Sequence, residues 1–168
     1  QGLRQYTYSC LKLGQIALHN DEPQKALAFF EKSLDTPENM GEKYHLLQAV
    51  AHINYWKGRA CQALWKKEKN KDYFKKSKHE DGDFVDMAVS TYSELSYYKA
   101  LLLMELGQSE EAFGLLTKIR HFGEEKLTQE ARIDYFATSL PLLLVFEDDL
   151  QKRSELEAKY LIGLAELG

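Results

Sequence analysis

The sequence has few of the residues that interrupt helices or carry redox chemistry. Of its 168 residues, three are proline, ten are glycine and two are cysteine. Few helix breakers, together with many Leu, Ala, Lys, Glu and Gln residues, favour long helices. The two cysteines, Cys10 and Cys61, form no Cys-x-x-Cys pair, so the spacing gives no support for a metal or redox site. We expect both to be buried apolar residues in a reduced compartment.

Charge and hydropathy argue against two classes of partner. The net charge is −4, whereas nucleic-acid-binding domains are usually basic. The basic run at residues 66–71 is diluted by acidic neighbours, and we interpret it as a solvated helix end or loop. The longest apolar runs, residues 101–104 and 140–146, are far shorter than the ~18 residues that a membrane span requires. No nucleic acid and no membrane is therefore expected as a partner.

Motifs for catalysis are also missing. The sequence contains no Gly-x-Ser-x-Gly, no Gly-rich phosphate loop and no Ser/His/Asp arrangement. His45 and His52 are two helical turns apart, roughly 10 Å, which is too far for both to bind one metal ion without further ligands. We predict no catalytic residue, no cofactor and no metal, and therefore that this chain alone is not an enzyme.

Two acidic segments have a chemical and a structural interpretation each. Residues 79–83 suggest calcium, but they lack the alternating ligands and the terminal Glu of an EF-hand loop. We prefer a loop whose Asp81 or Asp83 caps a helix starting near Phe84, which explains the same residues. The carboxylates of residues 147–149 could serve acid/base chemistry. At a break between helices they would instead stabilise the dipole of the next helix.

A helix–turn–helix pattern begins the chain. One apolar stripe at three- and four-residue steps comprises Leu3, Tyr6, Cys10, Leu13 and Ala17. Asn20 and Asp21 can cap a second helix whose first turn accommodates Pro23. Across from the stripe, the second helix presents Ala26, Phe30 and Ser33, and the small residues Gly14 and Ala26 allow the two backbones to approach closely.

The same spacing recurs twice. Gly14 is followed 44 residues later by Gly58 and then 42 residues later by Ala100. The second-helix positions map onto one another as Ala26, Asn70 and Ala112; Phe30, Phe74 and Leu116; and Ser33, Ser77 and Ile119. The third unit is the clearest, since residues 105–112 predict a helix end, a left-handed turn at Gly107 and a capped restart.

These residues resemble the tetratricopeptide repeat (TPR), with its Leu-Gly pair, its Ala twelve residues after the glycine and an aromatic four residues further on. The resemblance implies an all-α fold, a TPR-like α–α superhelix of antiparallel hairpins, in one domain over residues 1–168. We place its units at about 3–36, 40–80, 83–122 and 126–168. Because the spacing exceeds the standard 34 residues, we expect longer first helices or longer loops between units.

The last unit should contain a helix over residues 128–147, kinked or broken at Pro141, and a final helix over about 151–167. Residues 164–168 echo residues 103–107, after which a partner helix follows at once. No such partner follows here, and solenoid ends are normally covered by a capping element. We therefore expect a fragment of a longer protein, able to form a homo-oligomer through exposed solenoid ends.

The resemblance also implies where a partner would bind. In TPR arrays the first helices line the concave surface, and the matching positions here are Tyr8, Leu11 and Gln15, then His52, Tyr55 and Arg59, then Glu94, Tyr97 and Leu101. Amphipathic aromatics there suit recognition of a protein or peptide segment. The alternative is that the aromatics, which include Trp56, Trp65, Tyr92 and Tyr98, fill the packing between helices. The basic clamp for a C-terminal carboxylate is not matched, which disfavours chaperone-tail binding.

A narrower resemblance covers about residues 82–150. The segments 82–87, 92–101, 106–112, 133–141 and 143–150 are similar to the C-terminal repeat region of large bacterial proteins with an N-terminal mutarotase-like, carbohydrate-associated domain. It implies a bacterial, cytoplasmic origin. Our main expectation is a non-catalytic interaction or scaffolding module. The rival is an accessory or oligomerisation domain of a carbohydrate-active protein whose catalytic domain is absent here.

Overall fold

The computed structural model describes residues 2–41, 50–65, 67–76, 83–85, 88–130 and 149–168. Most of these residues are helical, which confirms the all-α class in its coarse form. The helices are α1 (Gly2–His19), α2 (Pro23–Lys32), α3 (Ala51–Ala63), α4 (Lys67–Lys76), α5 (Glu94–Glu105), α6 (Ser109–Thr128) and α7 (Leu150–Leu167). A 3-10 turn (Glu38–Met40) and two short strands, β1 (Asp83–Val85) and β2 (Ala88–Ser90), complete the described elements.

The first six helices form three antiparallel hairpins in sequence order, α1 with α2, α3 with α4 and α5 with α6. In the first hairpin the Phe30 ring lies directly over Gly14, where a Cβ atom would overlap it. Gly58 and the Phe74 ring repeat this contact in the second hairpin. In the third, Ala100 and Leu116 lie in one buried cluster. Where the first helix carries alanine instead of glycine, the second helix thus carries leucine instead of the larger phenylalanine.

Each hairpin turns through a residue with a positive φ at the same place in its repeat. These residues are Asp21 (φ 60°), Trp65 (φ 56°) and Gly107 (φ 78°). The left-handed conformation costs glycine nothing, which confirms the turn predicted at Gly107. The predicted cap by Asn20 and Asp21 is wrong, because Asp21 itself closes the turn and Glu22 is the N-cap, without a side-chain hydrogen bond. Pro23 does occupy the first turn of α2.

The first helix of each hairpin packs against both helices of the hairpin before it. The Trp56 ring on α3 stacks on the Phe30 ring on α2, with centroids 6.2 Å apart, and Trp56 Nε1 donates to the Tyr98 hydroxyl on α5 over 3.4 Å. Helix α7 packs along α6, where a Cβ atom on Gly123 would lie 2.8 Å from Ile162. Lys126 on α6 and Glu157 on α7 form an ion pair of 2.7 Å at the edge of this contact. Helices α1, α3, α5 and α7 also contact one another in that order.

The prediction that a helix starts near Phe84 is wrong. Residues 83–85 instead pair with residues 88–90 as an antiparallel two-stranded hairpin, with Phe84 opposite Val89. Helix α5 begins later, at Glu94, because Ser93 and Ser96 form a capping box. Ser93 Oγ accepts from the Leu95 amide over 3.0 Å, and the Ser93 amide donates to Ser96 Oγ over 3.1 Å. This box satisfies two amides that the helix leaves without partners.

Other predictions from the sequence have mixed outcomes. Cys10 and Cys61 are buried free cysteines, as expected. The final helix, α7, matches the predicted one to within a residue at its start. The helix predicted over residues 128–147 does not begin at Thr128, because α6 ends there and Gln129 has an extended backbone. Its remainder from residue 131, with the break at Pro141, the histidines His45 and His79, and residues 147–148 of the acidic segment lie outside the described residues. Asp149 is described, and its carboxylate caps α7 by accepting from the Lys152 amide over 3.0 Å, so this acid stabilises the start of the next helix. Among the helices that are described, none is long and apolar enough to cross a bilayer.

Candidate binding surface on the first helices

The nine residues assigned to an inner face lie on α1, α3 and α5, but at different depths. The central member of each trio is buried, since Leu11, Tyr55 and Tyr97 are only 7%, 7% and 8% exposed. Leu11 packs in a cluster with Phe30 and Ile53, and Tyr97 packs beside Leu116 and Leu161. These three side chains therefore serve mainly to join helices.

Four of the six flanking members, Tyr8, Gln15, Arg59 and Glu94, reach solvent. Tyr8 is 57% exposed, and the Lys12 ammonium lies 5.4 Å from its ring centroid, within cation–π range. Lys12 also donates to the Gln15 amide oxygen over 3.2 Å, which ties both side chains to one edge of α1. Glu94 is exposed in the first turn of α5, where its charge complements the helix dipole.

Arg59 has the most defined geometry of the exposed members. Its Nη1 donates to the Tyr55 hydroxyl over 3.0 Å, and its guanidinium lies 5.8 Å from the Tyr55 ring centroid. The same Nη1 is 3.7 Å from a carboxylate oxygen of Glu105 on α5, and Gln62 donates to the other oxygen of that carboxylate over 2.6 Å. The Arg59 side chain is nevertheless 45% exposed. A guanidinium held in this way has remaining N–H donors that face solvent.

His52 and Leu101 lie between these extremes. The His52 ring is 6.1 Å from the Tyr98 ring, and among the described residues its Nδ1 atom has no hydrogen-bond partner although it is shielded from solvent. Burial lowers the pKa of His52 to about 4. Leu101 is half-buried and packs against two clusters, one around Tyr97 and one around Tyr55. Both residues line the junction between α3 and α5.

The aromatic side chains mostly fill packing between helices, which was the alternative to a ligand-binding role. Tyr55 contacts Trp56 edge-on at 5.3 Å and Tyr98 at 5.6 Å, and Tyr98 contacts Tyr97 at 5.6 Å. Burial raises the pKa of Tyr97 and of Tyr98. Tyr92 packs on Phe122 at 5.5 Å. Trp65 is the exception, 84% exposed at the turn between α3 and α4.

The sequence did not single out Glu105, Gln62 or Tyr160 for this surface. Glu105 and Gln62 are partners across two repeats, 43 residues apart, so no local pattern marks them. Tyr160 on α7 lies near Glu94 on α5, and burial together with that carboxylate raises the pKa of Tyr160 to about 12. Only the repeat spacing could have placed Tyr160 near Glu94, and residues 126–168 match that spacing poorly.

The chemistry of this surface is hydrogen bonding and ion pairing. In the part of the chain that the structure describes, no three His, Cys, Asp or Glu side chains are grouped to hold a metal ion. Comparison of the chain with protein-family models, with curated proteins and with solved structures found no match.

Proposed function

We propose that the chain is a TPR-like module, a right-handed superhelical stack of about four hairpins, which binds a protein or peptide segment along its first helices. The side-by-side contacts of α1, α3, α5 and α7 support this proposal, because they align equivalent positions of successive hairpins on one face. Repeat modules of this kind recognise segments through such aligned faces. Non-catalytic scaffolding, and a bacterial cytoplasmic origin, belong to the same proposal and rest on the sequence resemblance.

The observation that carries the proposal is the fixed and half-exposed guanidinium of Arg59. Tyr55 and Glu105 hold it in place, and Gln62 in turn fixes the Glu105 carboxylate, so binding a ligand there costs little side-chain entropy. A guanidinium donates to carboxylate and carbonyl oxygens in a planar, bidentate way. The segment recognised would therefore place an oxygen acceptor, such as a main-chain carbonyl or an acidic side chain, at Arg59.

A selection from a library of displayed peptides tests the proposal. Peptides that bind the wild-type chain should lose at least tenfold in affinity with Arg59→Ala, measured by isothermal titration calorimetry. Arg120→Ala is the matched control, since Arg120 on α6 is similarly exposed and also paired with carboxylates. The proposal fails if no peptide is enriched, or if the enriched peptides bind both variants equally.

The alternative proposal, an accessory or oligomerisation domain of a carbohydrate-active protein, has one observation in its favour. Helix α7 exposes Leu150 at its start (41%) and, along one side, Leu156 (60%), Tyr160 (50%) and Leu167 (75%). Exposed apolar side chains in one line are typical of a protein contact. The full-length gene separates the two proposals, because a β-rich domain encoded upstream would favour the accessory role.

A further inference from the structure

The packing of α7 fixes which of its residues correspond to those of the other first helices. Trp56 on α3 packs on Phe30 of the preceding hairpin, and Tyr98 on α5 packs beside Phe74. Leu161 on α7 shares a buried cluster with Leu116, the residue equivalent to Phe30 and Phe74. Leu161 therefore corresponds to Trp56 and Tyr98. This register differs by two residues from the sequence echo between residues 164–168 and 103–107.

In this register Gly163 is equivalent to Gly14, Gly58 and Ala100. The equivalent glycines, Gly14 and Gly58, are covered by phenylalanine rings, whereas none of the described residues comes within 4 Å of a Cβ atom built on Gly163. Tyr160 is equivalent to Leu11, Tyr55 and Tyr97, which are at most 8% exposed, yet Tyr160 is 50% exposed. Within the described ranges, no residue therefore covers the face of α7 that corresponds to the face toward the hairpin partner in α1, α3 and α5.

This uncovered face is the α7 stripe, formed by Leu156, Tyr160, Gly163 and Leu167. Its members follow one another at steps of four, three and four residues, so they lie on one side of the helix. The stripe is complementary to itself when two copies run antiparallel. Centred between residues 161 and 162, such a pair sets Tyr160 opposite Gly163 of the second copy and Leu156 opposite Leu167 of the second copy.

We propose that two copies of this chain associate through the α7 stripe, with the two α7 helices antiparallel about a twofold axis. Each Tyr160 ring then covers the other copy's Gly163, which repeats the contact of Phe30 on Gly14 within the first hairpin. The twofold axis makes this contact twice. An isologous contact of this kind closes on itself and gives a dimer, not a filament.

The charges beside the stripe fit the antiparallel arrangement. Lys159 and Glu166 lie on the same edge of α7, two helical turns apart. In the antiparallel pair, Lys159 approaches Glu166 of the second copy, and the symmetry forms this pair twice. Within one copy the two side chains are 64% and 57% exposed and make only surface ion pairs, at 4.0 Å to Glu155 and 3.4 Å to Arg120. Surface pairs of this kind contribute little and exchange readily.

About half of the Tyr160 side chain is already buried against its own copy, and the exposed half is what a second copy would cover. The inference does not depend on peptide binding by the first helices, because the stripe and the Arg59 surface share no residue.

Sedimentation equilibrium of the 168-residue chain tests the proposal. The wild-type chain should dimerise, and Gly163→Phe should weaken the dimer at least tenfold by filling the space that Tyr160 of the second copy needs. Gly114→Phe on α6 is the matched control, because Gly114 is likewise exposed with nothing within 4 Å of its Cβ position. Leu167→Glu, at a side chain 75% exposed, is a second disrupting variant that should leave the circular dichroism spectrum unchanged.

The charge pair gives an independent readout. Lys159→Glu should weaken the dimer by repulsion from Glu166 of the second copy, and Lys159→Glu with Glu166→Lys should restore it. A wild-type chain that stays monomeric overturns the proposal, as does a dimer that Gly163→Phe and Leu167→Glu leave intact. A peptide with the sequence of residues 23–36, which contain the helix that covers Gly14, tests whether the α7 stripe binds a second helix of a hairpin instead of a second copy of α7. If a monomeric chain binds this peptide through the α7 stripe, a helix from elsewhere covers the stripe.

Discussion

At the scale of single residues, His52 is unusual because it lies in the α3–α5 junction as a neutral side chain. It packs near the Tyr98 ring, and its shielded Nδ1 has no partner among the described residues. Burial disfavours the charged imidazolium, which is why the pKa of His52 falls from 6.5 to about 4. The unfolded chain therefore binds a proton at His52 more readily than the folded chain does.

This difference makes the stability of the fold depend on pH. The contribution of neutral His52 is fully present above pH 6.5 and is lost as the pH falls toward 4, at a rate of about 1.4 kcal/mol per pH unit within that window. Urea unfolding at pH 7, 6 and 5 should show the wild-type chain losing more free energy of unfolding than His52→Leu, which cannot titrate. Parallel losses in the two proteins would contradict this account of His52.

The burial of individual side chains was predicted least well from the sequence. The repeat spacing put Leu11, Tyr55 and Tyr97 on the inner face together with Arg59, yet those three are buried and Arg59 is not. Spacing within one helix gives the direction of a side chain. Its burial depends on how closely the next helix packs, and that is set by residues more than 40 positions away, such as Tyr98 and Glu105.

At the scale of helices, the pairing within each hairpin depends on one close contact. Gly58 leaves room for the Phe74 ring, whereas the third hairpin combines Ala100 with the smaller Leu116. The sequence predicted these pairs from spacing alone, because a glycine and an aromatic recur together. The predicted close approach of the helices is confirmed at Gly14 and Ala26, which are both buried.

Exchanging one member of a pair should therefore destabilise a hairpin. Gly58→Ala places a Cβ atom inside the Phe74 ring and should cost about 2 kcal/mol of unfolding free energy in urea. Adding Phe74→Leu, which copies the third hairpin, should recover part of that loss. Gly114→Ala, at an exposed position, is the control. The higher helix propensity of alanine should raise the free energy of unfolding by up to about 1 kcal/mol. Equal effects of Gly58→Ala with and without Phe74→Leu would show that the two positions are not coupled.

The two strands, at residues 83–85 and 88–90, are the elements that the sequence analysis missed. Asp83 ahead of Phe84 suggested a capped helix, but Val85 and Val89 favour extended backbone, and the stretch is too short for a helical period to be tested. The stronger start signal, Ser93 with Ser96 three residues later, lies ten residues further on. A serine at the third position makes a less familiar capping box than glutamate does.

At the scale of the whole molecule, Trp56 joins three hairpins. Its ring stacks on Phe30 of the first hairpin, contacts Tyr55 within the second and donates to Tyr98 of the third. In a linear stack each hairpin contacts only its neighbours, so cooperative unfolding depends on such contacts between hairpins. The recurrence of about 43 residues predicted that hairpins follow one another, but not which side chain joins them.

Removing this side chain should uncouple the hairpins. Trp56→Ala should cost about 3 kcal/mol and turn a single urea transition into two, because the first hairpin then unfolds separately from the third. Trp65→Ala, the only other tryptophan substitution available, is the control, since an 84% exposed ring should change stability by less than about 0.5 kcal/mol. Circular dichroism follows both variants, and a single sharp transition in Trp56→Ala would argue against this role.

The matched sizes of Gly–Phe and Ala–Leu partners restrict how such a chain can grow by duplication. A copy of α2 could replace α4, because both bring a phenylalanine to a first helix that carries glycine. A copy of α2 placed after α5 would drive its ring into Ala100, and a copy of α6 placed after α1 would leave a gap over Gly14. Recombination between repeats is therefore tolerated when whole hairpins are exchanged, or when helices are traded between the first two hairpins.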